Sequence, residues 1–130
     1  MNRIVVDTDV ASYLFGVLPA AKPFLPLLAD AELALSFMTV AELRSGAISA
    51  KWGVRRCTVL EQFIRGFEIV LPDDGTCSGW ASVMAHSRSV GRAMSPQDGW
   101  IAATALGLDA RLATNNRRHF EHVRGLRLLG

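Results

Sequence analysis

"NRIVVDTDVASYLFG", residues 2–16, fixes how the rest of the chain is read. Ile4, Val5 and Val6 form a continuous β-branched run with no polar alternation. Such a run fits a strand covered on both faces, as in parallel sheets. Two aspartates, Asp7 and Asp9, follow at once, and then a helical pattern with Val10, Leu14 and Val17 on one face. A buried strand that ends in acid and turns into a helix is the opening half of a βαβ unit.

The same alternation runs outward through the chain. "AELALSF" (31–37) reads as a strand over 33–37, with Leu33, Leu35 and Phe37 alternating. Pro19, Pro23 and Pro26 interrupt the segment before it, where Phe24, Leu27 and Leu28 suggest a short buried helix. "TVAELRSGA" (39–47) opens a helix, and Thr39 with Glu42 has the Thr-x-x-Glu spacing of a capping box. Leu60, Phe63, Ile64 and Phe67 make an i, i+3, i+4, i+7 stripe. "FEIVLP" reads as a third strand, and Cys77, Trp80, Ala81 and Met84 form another helical stripe. Ser95 and Pro96 are a strong N-cap and first-turn pair for a helix ending near Gly107. "RLAT" is a fourth strand, and "LRLL" at 126–129 is a candidate fifth. Alternating strands and helices imply an α/β fold with a mainly parallel sheet, whose strand ends share one edge. Ligands of open sheets bind beyond that edge.

The chain has 130 residues, half of them hydrophobic, so a single domain over 1–130 is expected. No membrane-spanning run is legible, and a soluble cytoplasmic protein is the default expectation. Cys57 and Cys77 lack metal-ligand spacing and read as buried thiols. Net charge is only +2, but the basic residues are twelve Arg and two Lys. Arg favours bidentate contact with phosphate or carboxylate.

Polar groups fall where the strands end. Asp7 and Asp9 follow the first strand, and Glu42 follows the second. Asp98 begins the helix before the fourth strand, and Thr114, Asn115 and Asn116 follow that strand. Each has an ordinary explanation: Asp7, Asp9 and Asp98 as helix caps, Asn115 or Asn116 as a turn residue. Gathered together, three or four carboxylates repel, and a divalent cation removes the penalty. An oxygen-only set suits Mg²⁺ or Mn²⁺, which acidify water and neutralise a scissile phosphate. The strand order that joins Asp98 to Asp7 is not derivable from the pattern and is assumed. There is no Gly-x-Ser-x-Gly elbow and no Gly-rich phosphate loop, and His119 reads as an exposed loop residue.

"IVVDTDV", "TVAELRSGA", "DGWIAATAL" and "LATNNRRHF", in this order and spacing, resemble the PIN-domain ribonucleases, and among them the VapC-type toxins of toxin–antitoxin pairs. The resemblance spans nearly the whole chain. It implies a Rossmann-like three-layer α/β/α sandwich with a parallel sheet of four or five strands. It also implies Mg²⁺- or Mn²⁺-dependent cleavage of RNA, a homodimer, and a small inhibitory antitoxin. Carried over by motif, Asp7 and Asp98 match the acids closest to the metal, and Glu42 matches a glutamate that often acts through water. Thr114 matches a hydroxyl residue near the site. Many members carry a fourth acid where this chain has Asn116, which puts a second metal in doubt. Asp9 stands where a small polar residue is common and reads as an outer-sphere group. Arg44, Arg117 and Arg118 are the candidates for substrate phosphate.

Three other readings fit less well. A phosphoacceptor signalling domain and a haloacid-dehalogenase-like phosphatase both need a late lysine, and the only lysines are Lys22 and Lys51. A PIN fold weakened at Asn116 and kept for binding RNA or antitoxin is the third.

Overall fold

A computed structural model describes residues 2–130. Its centre is one five-stranded parallel sheet in the order β3-β2-β1-β4-β5. The strands are β1 (Arg3–Val6), β2 (Glu32–Ser36), β3 (Glu68–Val70), β4 (Arg111–Ala113) and β5 (Leu128–Leu129). The first strand is the innermost. Val5 pairs with Ala34 of β2 on one side and with Leu112 of β4 on the other.

Helices cover both faces, which is why the β1 run needs no polar alternation. Ile4 and Val6 point to one side. There they meet α1 (Thr8–Phe15), the 3₁₀ segment Pro19–Phe24, α2 (Leu25–Leu28), α3 (Phe37–Ser49) and α4 (Val54–Arg65). Val10, Phe24, Leu28, Leu43, Leu60 and Ile64 fill that layer. Val5 points to the other side, against α5 (Asp74–Ser89), α6 (Pro96–Gly107) and α7 (Arg117–Phe120) through Val83, Ile101, Leu112 and Phe120. The three-layer α/β/α sandwich expected from the sequence is therefore present, with five strands.

Several local expectations need correction. The α3 helix starts at Phe37, not Thr39. Ser36 is its N-cap, and the Ser36 hydroxyl accepts from the Met38 amide at 3.1 Å. Thr39 lies inside the helix and is fully buried, so no Thr39–Glu42 capping box forms. Val17 lies outside α1, largely exposed, with φ +50°. The inward face of α5 is set by Val83 and Ser87, while Cys77 and Ala81 are exposed. Cys77 is thus not the buried thiol expected, and Cys57 is only half-buried.

No single helix among the described residues is long and apolar enough to cross a membrane. The bent pair Thr8–Phe15 and Pro19–Leu28 has the length but folds at 113°, with Val10, Ala11, Phe24 and Leu28 in the core.

Candidate active site

Four of the five strands, β1 to β4, hand over to a helix at the same edge, so helix N-termini and strand C-termini coincide there. Asp7 is the residue between β1 and α1. Its Oδ1 accepts from the Val10 amide at 2.9 Å, and its own amide donates to the Ala113 carbonyl at 3.0 Å. The residue is only 4% exposed. Burial pushes its pKa up from 3.8 to about 6, against the opposing pull of hydrogen bonds from Thr114 and Val10. Asp9 and Asp98 push it the same way as burial.

Asp98 enters from the first turn of α6, where Ser95 is the N-cap and accepts from the Asp98 amide at 3.1 Å. That turn is held against α5 by Trp80, whose Nε1 donates to the Pro96 carbonyl and whose ring stacks on Trp100. Gly99 makes the approach possible. A Cβ there would stand 2.6 Å from Met84 Sδ and 2.9 Å from Trp80 Nε1. Burial raises the Asp98 pKa, and His119 opposes it. His119 Nδ1 stands 3.2 Å from Asp98 Oδ2.

Glu42 comes from the second turn of α3. Its Oε1 accepts from the Thr8 hydroxyl at 2.7 Å, and Thr8 Oγ1 also stands 3.1 Å from Thr39 Oγ1. From the far side, the buried Thr114 hydroxyl accepts from the Asn116 amide at 2.9 Å. The Asn116 side chain donates through Nδ2 to Asp9 Oδ2 at 2.6 Å. Asp7, Thr8, Asp9, Glu42, Asp98, Asn116 and His119 line one crevice of about 150 Å³, floored by Ile101 and Phe120. The residues named from sequence as acids therefore meet, along with Asn116.

Beside this crevice, and sharing Asn116 and His119 with it, runs an open groove of about 730 Å³. Arg92, Asn115, Arg117, Arg118 and Glu121 complete its lining. Arg92 donates to the Arg118 carbonyl and to Glu121, and Arg117 to the Gly130 carbonyl. The Arg118 guanidinium has no ion-pair partner among the described residues. Arg44 is elsewhere: it makes a two-pronged pair with Glu61 of α4 at 2.7 and 3.1 Å and lines neither the crevice nor the groove.

The crevice is open rather than a closed cage. Among the described residues no three His, Cys, Asp or Glu side chains are already gathered around one ligating point. Its donor chemistry still fits a hard dication. The set is oxygen throughout except for His119, and Mg²⁺ keeps several waters while taking only one or two carboxylates directly.

The PIN domain family model matches residues 4–126. This chain belongs to the PIN-domain family. It is 37% identical to the VapC ribonuclease Y4jK of Sinorhizobium fredii over 91% of this chain and 90% of that one. It is 29% identical to ribonuclease VapC1 of Haemophilus influenzae strain R2866, over 94% and 92%. It is thus a VapC-type PIN protein, as the four motifs suggested. Among solved structures, VapBC2 from Rickettsia felis bound to a promoter DNA fragment superposes with a TM-score of 0.86 at 23% identity, covering 98% of this chain and 97% of that one. At that identity the superposition speaks for the fold.

Two features escaped the sequence. His119 is exposed, as expected, but it belongs to α7 rather than to a loop and touches the crevice through Asp98. Thr8, the donor to Glu42, carried no signal beyond its place between two aspartates.

Proposed function

We propose that this chain is a Mg²⁺- or Mn²⁺-dependent endoribonuclease, the toxin of a toxin–antitoxin pair. The observation that carries the proposal is the meeting of Asp7, Glu42 and Asp98, from three different helix starts, in one oxygen-lined crevice. Asp7 and Asp98 would hold the cation, and Glu42 would hold it through water. When bound, the cation supplies charge neutralisation for the scissile phosphate and a lowered pKa for water.

The chain's own residues do the rest. The Thr8 hydroxyl fixes Glu42 Oε1, so this carboxylate faces the crevice in one orientation. Val10 N–H and the Thr114 hydroxyl hold Asp7. The amide-rich starts of α1 and α6 favour anionic substrate oxygens at the crevice mouth. Arg118, with Arg117 behind it, would take RNA phosphates along the adjoining groove, positioning the strand without reading its sequence. A small antitoxin is the expected partner, in keeping with structural neighbours solved as toxin–antitoxin complexes, and a second copy of the chain is the partner that the motif resemblance implies.

The test is RNA cleavage by purified protein with Mg²⁺ or Mn²⁺, with EDTA, and by Asp98→Asn. Cleavage that EDTA and Asp98→Asn both abolish supports the proposal; cleavage that survives either removes it. Asn116 keeps a second reading in play, a PIN fold retained for binding. RNA or antitoxin binding with no cleavage under any divalent cation would favour that reading.

A further inference from the structure

Asp9 and Asn116 come from opposite sides of the sheet edge, one from α1 and the other from the turn after β4. Their side chains meet at 2.6 Å, and both line the crevice. This is a short, charge-assisted bond. It joins the most exposed acid of the crevice to its only amide side chain. Asp9 lines the same crevice as Asp7, Glu42 and Asp98, so it belongs with those acids rather than to a separate solvated surface.

We infer that Asp9 and Asn116 form one interchangeable half-site of the proposed metal centre: Asp9 supplies the fourth carboxylate, and Asn116 is the positioning residue that aims it. The inference rests on the cation-dependent reading given above. The geometry places the carboxylate on α1, one hydrogen bond away from position 116. Exchanging the two side-chain types keeps one carboxylate, one amide donor and one bond between them. The crevice would keep its four acids, with the fourth now presented from the β4 side. A residue that only capped α1 would not behave this way, because Asp7 already holds that cap through Val10 N–H. Loop stabilisation does not explain the pair either. The turn after β4 has its own tie, from the Asn116 backbone amide to the Thr114 hydroxyl, and that tie survives any change of the Asn116 side chain.

The test measures Mn²⁺ affinity directly, without RNA, by titration calorimetry and by the free-Mn²⁺ electron paramagnetic resonance signal. The proteins are wild type, Asp9→Asn, Asn116→Leu, the exchange variant Asp9→Asn/Asn116→Asp, and Asp98→Asn. Melting temperatures in EDTA report folding separately. Asp9→Asn should weaken Mn²⁺ binding tenfold or more, and Asn116→Leu by roughly tenfold, the scale seen when a residue orienting a ligand is lost. The exchange variant should return to within about threefold of wild type. Wild-type affinity in Asp9→Asn overturns the inference. So does an exchange variant as weak as Asp9→Asn alone, since position 116 would then be unable to take the role. If Asp98→Asn also binds like wild type, or wild type binds no Mn²⁺, the metal centre itself falls. If only Asp98→Asn loses binding, the centre stands and the Asp9–Asn116 assignment alone is refuted.

Discussion

Asp7→Asn should make the metal-free protein more stable while making it inactive. The wild-type carboxyl is nearly sealed from solvent, and its pKa is raised from 3.8 to about 6, chiefly by burial. A folded-state pKa above the unfolded value means that the folded protein binds more protons between those two values. Stability is therefore full below about pH 4, falls as pH rises towards 6, and stays reduced above it. At 1.36 kcal/mol per unit, the roughly two-unit rise corresponds to a penalty of about 3 kcal/mol at pH 7.5.

An asparagine at position 7 carries no charge and can still accept from the Val10 amide, because Asn serves as well as Asp at an N-cap. Its amide N–H groups need new partners, which offsets on the order of 1 kcal/mol. The net gain is about 2 kcal/mol. With an unfolding entropy near 2.1 cal/mol/K per residue, that corresponds to a rise of roughly 7 °C in Tm. The assay is thermal unfolding of both proteins in EDTA at pH 4, 5, 6 and 7.5. The difference should be close to zero at pH 4 and should open between pH 4 and 6. Excess Mg²⁺ at pH 7.5 should narrow it by stabilising wild type alone. A variant no more stable than wild type at pH 7.5, or a gap that does not change with pH, would refute the argument.

Other substitutions separate structure from chemistry. Glu42→Gln should leave unfolding stability within about 0.5 kcal/mol of wild type, because Ser36 and not Glu42 caps α3, yet it should depress RNA cleavage strongly; lost stability with full activity would reverse that assignment. Gly99→Ala should lower Tm, since overpacking costs about 1–3 kcal/mol and Trp80 is pinned to Pro96 and Trp100; unchanged melting would show that the α5–α6 contact yields easily. Arg118→Ala should weaken RNA binding and reduce its salt dependence, whereas Arg44→Ala should cost less than about 1 kcal/mol of stability and leave binding intact; equal effects would mean that the groove is not the RNA track.

How much of this was legible beforehand depended on whether a signal was local. The strands at 3–6 and 111–113 and the Ser95–Pro96 helix start are written in short windows, by β-branched runs and capping chemistry. They appear where expected. The boundary at Ser36 was misread because a serine after an apolar strand looks like strand continuation, and Thr39–Glu42 offered a competing cap. Tertiary packing decides it: the Thr104 and Ser36 hydroxyls stand 3.1 Å apart, in hydrogen-bond contact across 68 residues of sequence. The meeting of Asp7 with Asp98 was not derivable from any window. It depends on β1 lying between β2 and β4, a strand order that periodicity does not encode. The Asp9–Asn116 bond spans 107 residues and has the same origin.

Capping and metal chemistry looked like rival explanations for these acids, and the structure shows why they need not compete. In a parallel sheet with right-handed crossovers, the edge that gathers strand C-termini also gathers helix N-termini. An acid placed there meets both demands, and the three acids divide them differently. Asp7 caps α1 with its own oxygen. Asp98 leaves the cap to Ser95, and Glu42 stands a turn deeper behind Ser36. The carboxylate that does the most capping is also the most buried and carries the largest charge penalty. Replacing each acid by its amide should accordingly give unequal stability changes, with a gain at Asp7, a smaller gain at Asp98, and almost none at Glu42. Caps alone would give no gain at any of the three, because Asn serves as well as Asp at the α1 cap and neither Asp98 nor Glu42 caps its helix.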